Sequence, residues 1–182
     1  MDLFWMRHKG NNVEVGNKCL VLHYNVAIKE GGNPTIRRNK IHDGKDAGVF
    51  VHENGQGIIE DNDIFGNALT GVQIREGGNP TIRRNKIHDG KQSGVYVYEN
   101  GQGTIEDNDI FGNAKSGIEI TEGGNPTVRR NRINKNGFEA IWILKKGAGI
   151  IEDNDLRNNR KGPWDISEDS KNLVKIARNL EK

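Results

Sequence analysis

The sequence predicts an all-β fold: a right-handed parallel β-helix, or β-solenoid, of about 23 residues per rung and roughly seven rungs. Three observations predict it. The stretch Gly31–Glu76 is followed at once by a near copy, Gly77–Glu122, and a third, decayed copy begins at Gly123. Within these copies Asn39, Asn62, Asn85, Asn108, Asn131 and Asn154 are each 23 residues apart, so the true unit is half the visible one. The units are joined by Gly-Gly-Asn-Pro or Asn-Gly-Gln-Gly, which is turn chemistry, and none has room for a crossover helix. Identical short units without helices can stack only as parallel coils.

The strands follow from the alternation. Around each Asn the pattern is apolar, two charges, Asn, one charge, apolar, as in Ile36-Arg-Arg-Asn39-Lys-Ile41 and Ile59-Glu-Asp-Asn62-Asp-Ile64. About ten residues later comes an apolar pair: Val49/Val51, Val72/Ile74, Val95/Val97, Ile118/Ile120, Ile141/Ile143 and Trp164/Ile166. Period-two alternation rich in β-branched residues reads as strand with one face inward. The inward column of asparagines is expected to hydrogen-bond amide to amide, and to use the tolerance of Asn for a left-handed turn.

One domain, 1–182, is expected. Residues 1–12 carry a short apolar knot, Leu3-Phe-Trp-Met6, read either as a cap on the first coil or as a leader. Regular rungs run over 13–155, opening with Val13-Glu-Val-Gly and Asn25-Val-Ala-Ile28. Over 156–182 the array degenerates. Leu173-Val-Lys-Ile-Ala-Arg-Asn179 resembles the Asn unit with a two-residue insertion, but Leu173, Ile176, Ala177 and Leu180 also have helical spacing.

Composition narrows the function. Only 33% of the chain is hydrophobic, yet a solenoid needs only one apolar column per inward position. With 27 basic and 25 acidic residues the net charge is +2, which gives no footprint for nucleic acid or an anionic membrane. One cysteine, Cys19, excludes a disulfide framework. The N-terminus lacks a long apolar core, so a cytoplasmic location is expected. No cofactor and no metal centre are implied.

Stacking in register places residues 23 apart about 4.8 Å from one another. Arg37, Glu60, Arg83, Glu106, Arg129 and Glu152 then form one column, with Arg38, Asp61, Arg84, Asp107, Arg130 and Asp153 beside it. Charge alternates at each step, which explains a visible repeat of two coils. The Glu-Asp-Asn-Asp cluster therefore reads as the mate of Arg-Arg-Asn-Lys rather than as an acid/base site. His42 and His88, with Phe65 between them, read as solvated turn residues.

Two columns escape that account. Phe50, Gln73, Tyr96, Glu119 and Trp142 are the outward positions between the apolar pairs, with His52, Arg75 and Tyr98 two residues on. Such a face suits cross-strand pairing, or it suits binding, as sugar platforms or protein anchors. Candidate partner-binding residues are Phe50, His52, Gln73, Tyr96, Tyr98, Glu119 and Trp142. Glu53, Glu76, Glu99 and Glu122 form a column of like charge, which either splays into solvent or binds cations.

Gly-Asn-Pro-Thr-Ile-Arg-Arg-Asn-Lys-Ile-His-Asp-Gly and Ile-Glu-Asp-Asn-Asp-Ile-Phe-Gly-Asn-Ala resemble the parallel β-helix repeats of the pectin-lyase-like superfamily. Within it they are most similar to the β-helix of F-box substrate receptors of ubiquitin ligases and to related bacterial repeat proteins. No F-box and no cysteine/histidine zinc module occurs in the sequence, so no role in ubiquitin transfer is implied. Polygalacturonase-like enzymes of the superfamily carry Asn-Thr-Asp, Asp-Asp, His-Gly and Arg-Ile-Lys motifs, and none is present. Pectate-lyase-like enzymes use a calcium-binding Asp cluster, which Asp61, Asp63, Asp107 and Asp109 imitate, although their repetition argues for a structural role. The expected function is a non-catalytic scaffold binding a protein partner through the aromatic face. The alternative is a carbohydrate-binding or polysaccharide-active β-helix.

Overall fold

A computed structural model describes residues 25–182; the apolar knot at 1–12 and the start of the first rung at 13–24 lie outside them. The chain coils as a right-handed parallel β-solenoid of about seven turns, as the repeat predicts. Each regular coil contributes three strands of three residues to three parallel sheets. One coil reads Val72–Ile74 in sheet A, Thr81–Arg83 in sheet B and Lys86–His88 in sheet C. Sheets A and B hold seven strands each and sheet C five. The register is the 23-residue step throughout the array: Val49 pairs with Val72, Ile59 with Ile82 and Ile64 with Ile87.

The core is built from four inward side chains per coil. Val95, Val97, Ile105 and Ile110 are all fully buried, and the same four positions recur in each neighbouring coil. β-branched chains suit these positions because their stiff χ1 packs well on a pleated surface. The column Gly48, Gly71, Gly94, Gly117 lets the corner before sheet A lie against the core. A Cβ on Gly94 would sit 2.6 Å from Ile110 Cγ2 and 2.7 Å from the Gly117 carbonyl oxygen.

The asparagines close the turn between sheets B and C. Asn85 N–H donates to Asn108 Oδ1 at 2.9 Å, and Asn108 N–H to Asn131 Oδ1 at 3.0 Å. Each amide nitrogen also reaches back to an inward carbonyl, as Asn108 Nδ2 does to Ile82 O at 2.9 Å. One side chain thereby ties three coils together. The left-handed residue of this turn is not the asparagine, as sequence reasoning placed it, but the one before it. Asp61, Arg84 and Asp107 have φ of 55°, 54° and 55°. The asparagine is tied to the neighbouring coil through its N–H and side chain, and the left-handed turn falls on its charged neighbour.

A second asparagine column stands at the corner between sheets C and A. Gly44 N–H donates to Asn67 Oδ1, Gly90 N–H to Asn113 Oδ1, and Asn113 N–H to Asn136 Oδ1. The last coil takes up its two extra residues in a single 3-10 turn, Lys171–Leu173. Val174–Ala177 then pairs with Gly149–Glu152, and Asn179 accepts from Asn154 N–H 25 residues away.

The charged columns lie in register as strands, but their ion pairs run in one direction. Arg83 Nε meets Glu60 at 2.8 Å, and Arg84 meets both Glu60 at 2.7 Å and Asp61 at 2.9 Å. Arg129 and Arg130 pair likewise with Glu106 and Asp107, and Arg178 with Glu152 and Asp153. Every one of these contacts reaches back to the preceding acidic coil. These arginines hold the Glu60, Asp61, Asp107 and Asp153 carboxyls below the usual carboxylate range.

Candidate functional site on the outer face of sheet A

The outer face of sheet A carries the residues that the charge pattern leaves over. Strand geometry puts Phe50, Gln73, Tyr96, Glu119 and Trp142 in one column, since Phe50 pairs with Gln73, Gln73 with Tyr96, Tyr96 with Glu119 and Glu119 with Trp142. The residue two positions on leans over the same face. Its column runs His52, Arg75, Tyr98, Thr121, Leu144, tied by backbone bonds such as Arg75 N–H to Val51 O at 3.0 Å.

Rings in these two columns pair within a coil. Phe50 and His52 stack with centroids 4.3 Å apart, and Tyr96 and Tyr98 at 4.4 Å. Arg75 lies in the coil between them. Its guanidinium carbon is 5.1 Å from the Phe50 centroid and 5.9 Å from that of Tyr98, within cation–π range of both. Gln73 Nε2 donates to Tyr98 Oη at 2.9 Å, which leaves the phenol proton free to be offered outward. Burial raises the pKa of Tyr96 and Tyr98, so both stay protonated and remain donors. Further along, Ser93 Oγ donates to Glu119 Oε2 at 2.8 Å.

Arg75 differs from the arginines of the charged columns. Those make contacts of 2.6–2.9 Å with their acids. Arg75 meets Glu76 at 3.5 Å and Glu99 at 3.4 Å, longer than a charge-assisted bond prefers. Its Nε has no hydrogen-bond partner although it is shielded from water. The side chain is 31% exposed, so its fork faces the surface from between two ring pairs.

The glutamate column does not stand as four like charges. Glu53 lies 3.2 Å from His52 Nδ1, Glu76 and Glu99 flank Arg75, and Glu122 pairs with Lys145 at 2.9 Å. Glu76, Glu99 and Glu122 each have a cationic neighbour beside the column or one coil away, and Glu53 stands beside an imidazole. All four occupy left-handed turn positions, with φ between 45° and 49°.

Sequence reasoning missed one ring array. On the outer face of sheet C, His42, Phe65, His88 and Phe111 stack with centroids 4.7, 5.3 and 4.7 Å apart. The histidines are stacking partners of phenylalanine, not solvated turn residues, and the signal was the recurrence of Phe between them. The Asp cluster is spent on pairing: Asp61 on Arg84, Asp63 on His88, Asp107 on Arg130 and Asp109 on Arg132.

Residues 24–178 match the family model described as the right handed beta helix region. The chain belongs to the right-handed β-helix family. This β-helix matches no protein of curated function. Among solved structures it is similar to the periplasmic alginate epimerase AlgG, with a TM-score of 0.72 and 21% identity over 86% of this chain and 47% of that one. It is also similar to the A-module of the Azotobacter vinelandii mannuronan C-5 epimerase AlgE4, with a TM-score of 0.75 and 16% identity over 86% and 49%. The A-module of AlgE6 gives a TM-score of 0.63 and 17% identity over 87% and 50%. The chain thus spans about half the length of these proteins. No helix among the described residues is long and apolar enough to cross a membrane.

These neighbours correct the expectation of a non-catalytic scaffold for a protein partner. By name they act on polysaccharide, which favours the carbohydrate alternative. Phe50 is only 4% exposed, flat against His52 and under Arg75.

Proposed function

We propose that the outer face of sheet A binds an acidic polysaccharide, a chain of uronic acid units of the alginate kind. The observation that carries this reading is the placement of Arg75 between the Phe50–His52 and Tyr96–Tyr98 ring pairs, its guanidinium held only by long contacts of 3.5 Å to Glu76 and 3.4 Å to Glu99. A guanidinium matches a carboxylate in a planar, two-pronged contact. A sugar ring presents a flat apolar face and a rim of hydroxyls. The partly exposed rings of Tyr96 and Tyr98 and their protonated phenols answer both features. The polysaccharide-acting solved neighbours support the choice of ligand class.

The reading is tested by calorimetric titration of the full chain with mannuronate and guluronate oligosaccharides, with a neutral glucan of equal length as control. The acidic chains are expected to bind and the neutral one not. A hydrogen bond to a charged group contributes about 1.5–3 kcal/mol, so Arg75→Gln is expected to weaken binding by about 10–150-fold. Equal binding of the neutral glucan, or binding unchanged in Arg75→Gln, sinks the proposal. Proton NMR of the polymannuronate after incubation reads whether C-5 is inverted and so separates binding from turnover.

A further inference from the structure

We infer that His52, Glu53 and Glu76 form a site for one divalent first-row transition metal ion of the zinc class. His52 and Glu53 follow the sheet A strand Val49–Val51, and Glu76 takes the position of Glu53 one coil on. His52 Nδ1 lies 3.2 Å from Glu53 Oε1 and 3.8 Å from Glu76 Oε2. The three donor atoms all fall within 4.8 Å of one another. Zinc bonds of about 2.0–2.1 Å in tetrahedral geometry set neighbouring donors roughly 3.3–3.4 Å apart. Both glutamates are more than 40% exposed, so their carboxylates can swing to close the gaps that remain, including the one between the two acids.

The imidazole sets this place apart from the rest of the acidic column. His52 Nδ1 is shut off from water and has no hydrogen-bond partner. A buried polar nitrogen without a partner is costly, and a metal ion would satisfy it. The ring is held edge-on to the two acids by its stack on Phe50. In later coils this position is Arg75, Tyr98, Thr121 and Leu144, so within this column an imidazole stands beside the glutamates only at His52 among the described residues. Arg75 lies 3.5 Å from Oε1 of Glu76, the oxygen that does not face His52.

The donor set selects the metal. One imidazole nitrogen and two carboxylates suit zinc, cobalt or manganese, whereas calcium and magnesium prefer oxygen donors alone. Three protein donors leave a fourth position open to water or a ligand. The inference does not rest on the polysaccharide reading, since none of its evidence involves a sugar. It extends the sequence reading, which assigned cation binding to Glu53, Glu76, Glu99 and Glu122 as a group and foresaw no metal.

The test uses the metal-stripped full chain, titrated with zinc alone by calorimetry and with cobalt by visible absorption. One ion per chain is expected, with the intense cobalt bands of a tetrahedral site. His52→Ala and Glu76→Gln are each expected to weaken zinc binding by at least about 10–100-fold, the loss that supporting residues alone produce at metal sites. Glu122→Gln is expected to bind as the parent does. Three outcomes overturn the inference: no stoichiometric zinc, zinc binding that survives His52→Ala, or calcium bound as tightly as zinc. Circular dichroism checks the fold of each variant, and if His52→Ala unfolds, the exposed Glu76→Gln decides the matter.

Discussion

Asn108→Ala is the sharpest test of what holds the coils together. Asn108 is 3% exposed. Its Oδ1 accepts from Asn85 N–H at 2.9 Å and Asn85 Nδ2 at 3.0 Å. Its Nδ2 donates to Ile82 O, Glu106 O and Asn131 Oδ1 at 2.9, 2.9 and 3.0 Å. Truncation removes all five contacts, but their costs differ. Asn85 Nδ2 keeps Ile59 O and Arg83 O as acceptors, so it is not stranded. Asn85 N–H has no such substitute and would be left buried and unpaired, at about 1–3 kcal/mol. With a further share for the carbonyls, the expected loss is about 3 kcal/mol. In a chain of this size that lowers the melting temperature by about 6–12 °C. Urea unfolding followed by circular dichroism at constant m measures it. A loss under about 0.5 kcal/mol, the level of an ordinary surface change, would refute the reasoning. Asn108→Asp separates donor from acceptor. It keeps both acceptor contacts but turns oxygen toward Ile82 O, Glu106 O and Asn131 Oδ1, so it is expected to destabilise at pH 7 and recover in part in acid, where it protonates.

Other expectations concern packing and charge. Gly94→Ala pushes a methyl against Ile110 and the Gly117 carbonyl and is expected to cost about 1–3 kcal/mol by the same urea assay; a neutral result would mean that the corner yields freely. Arg84→Glu sets like charge beside Glu60 and Asp61 and is expected to lower the urea midpoint, with Asp61→Arg restoring part of it in the double variant; failure of that rescue would refute the pairing. The carboxyls of Glu60, Asp61, Asp107 and Asp153 titrate lower in the folded chain than in the unfolded one. Their contribution to stability is therefore present above the unfolded values near 3.8–4.5 and is lost as pH falls through the lower folded values. Acid unfolding followed by circular dichroism is expected to begin below about pH 4 and to soften in Asp61→Asn; an unchanged acid limb in that variant would refute the role of the pair.

The coil, its register and its inward columns were legible in the sequence because each residue repeats in the environment it occupies. The second asparagine column was equally periodic but went unread, since Gly44 and Gly90 interrupt it with backbone N–H groups that bond without a side chain. Alternating charge at equal spacing fixes which signs are neighbours but not which of two neighbours an arginine prefers. Side-chain direction in the turn decides that. At the candidate site, sequence placed Phe50 outward correctly, yet its burial depends on Arg75, a residue in another coil whose reach no pattern of periods reports. That His52 joins Glu53 and Glu76 was not legible for the same reason: the sequence named the three residues in two separate columns, and a histidine that occurs once in its column adds nothing to a repeat.

The backward reach of Arg83, Arg84, Arg129, Arg130 and Arg178 bears on how such a chain can change length. Glu60 and Asp61 belong with Arg83 and Arg84, and Glu106 and Asp107 with Arg129 and Arg130. Each couple is electrically complete, so a gene duplication or loss of 46 residues joins one neutral block to another. A step of 23 residues would bring two acidic or two basic rings into contact at the new junction. Lengthening by twos is then the permitted mutation, and the near identity of Gly31–Glu76 and Gly77–Glu122 is the mark such an event would leave.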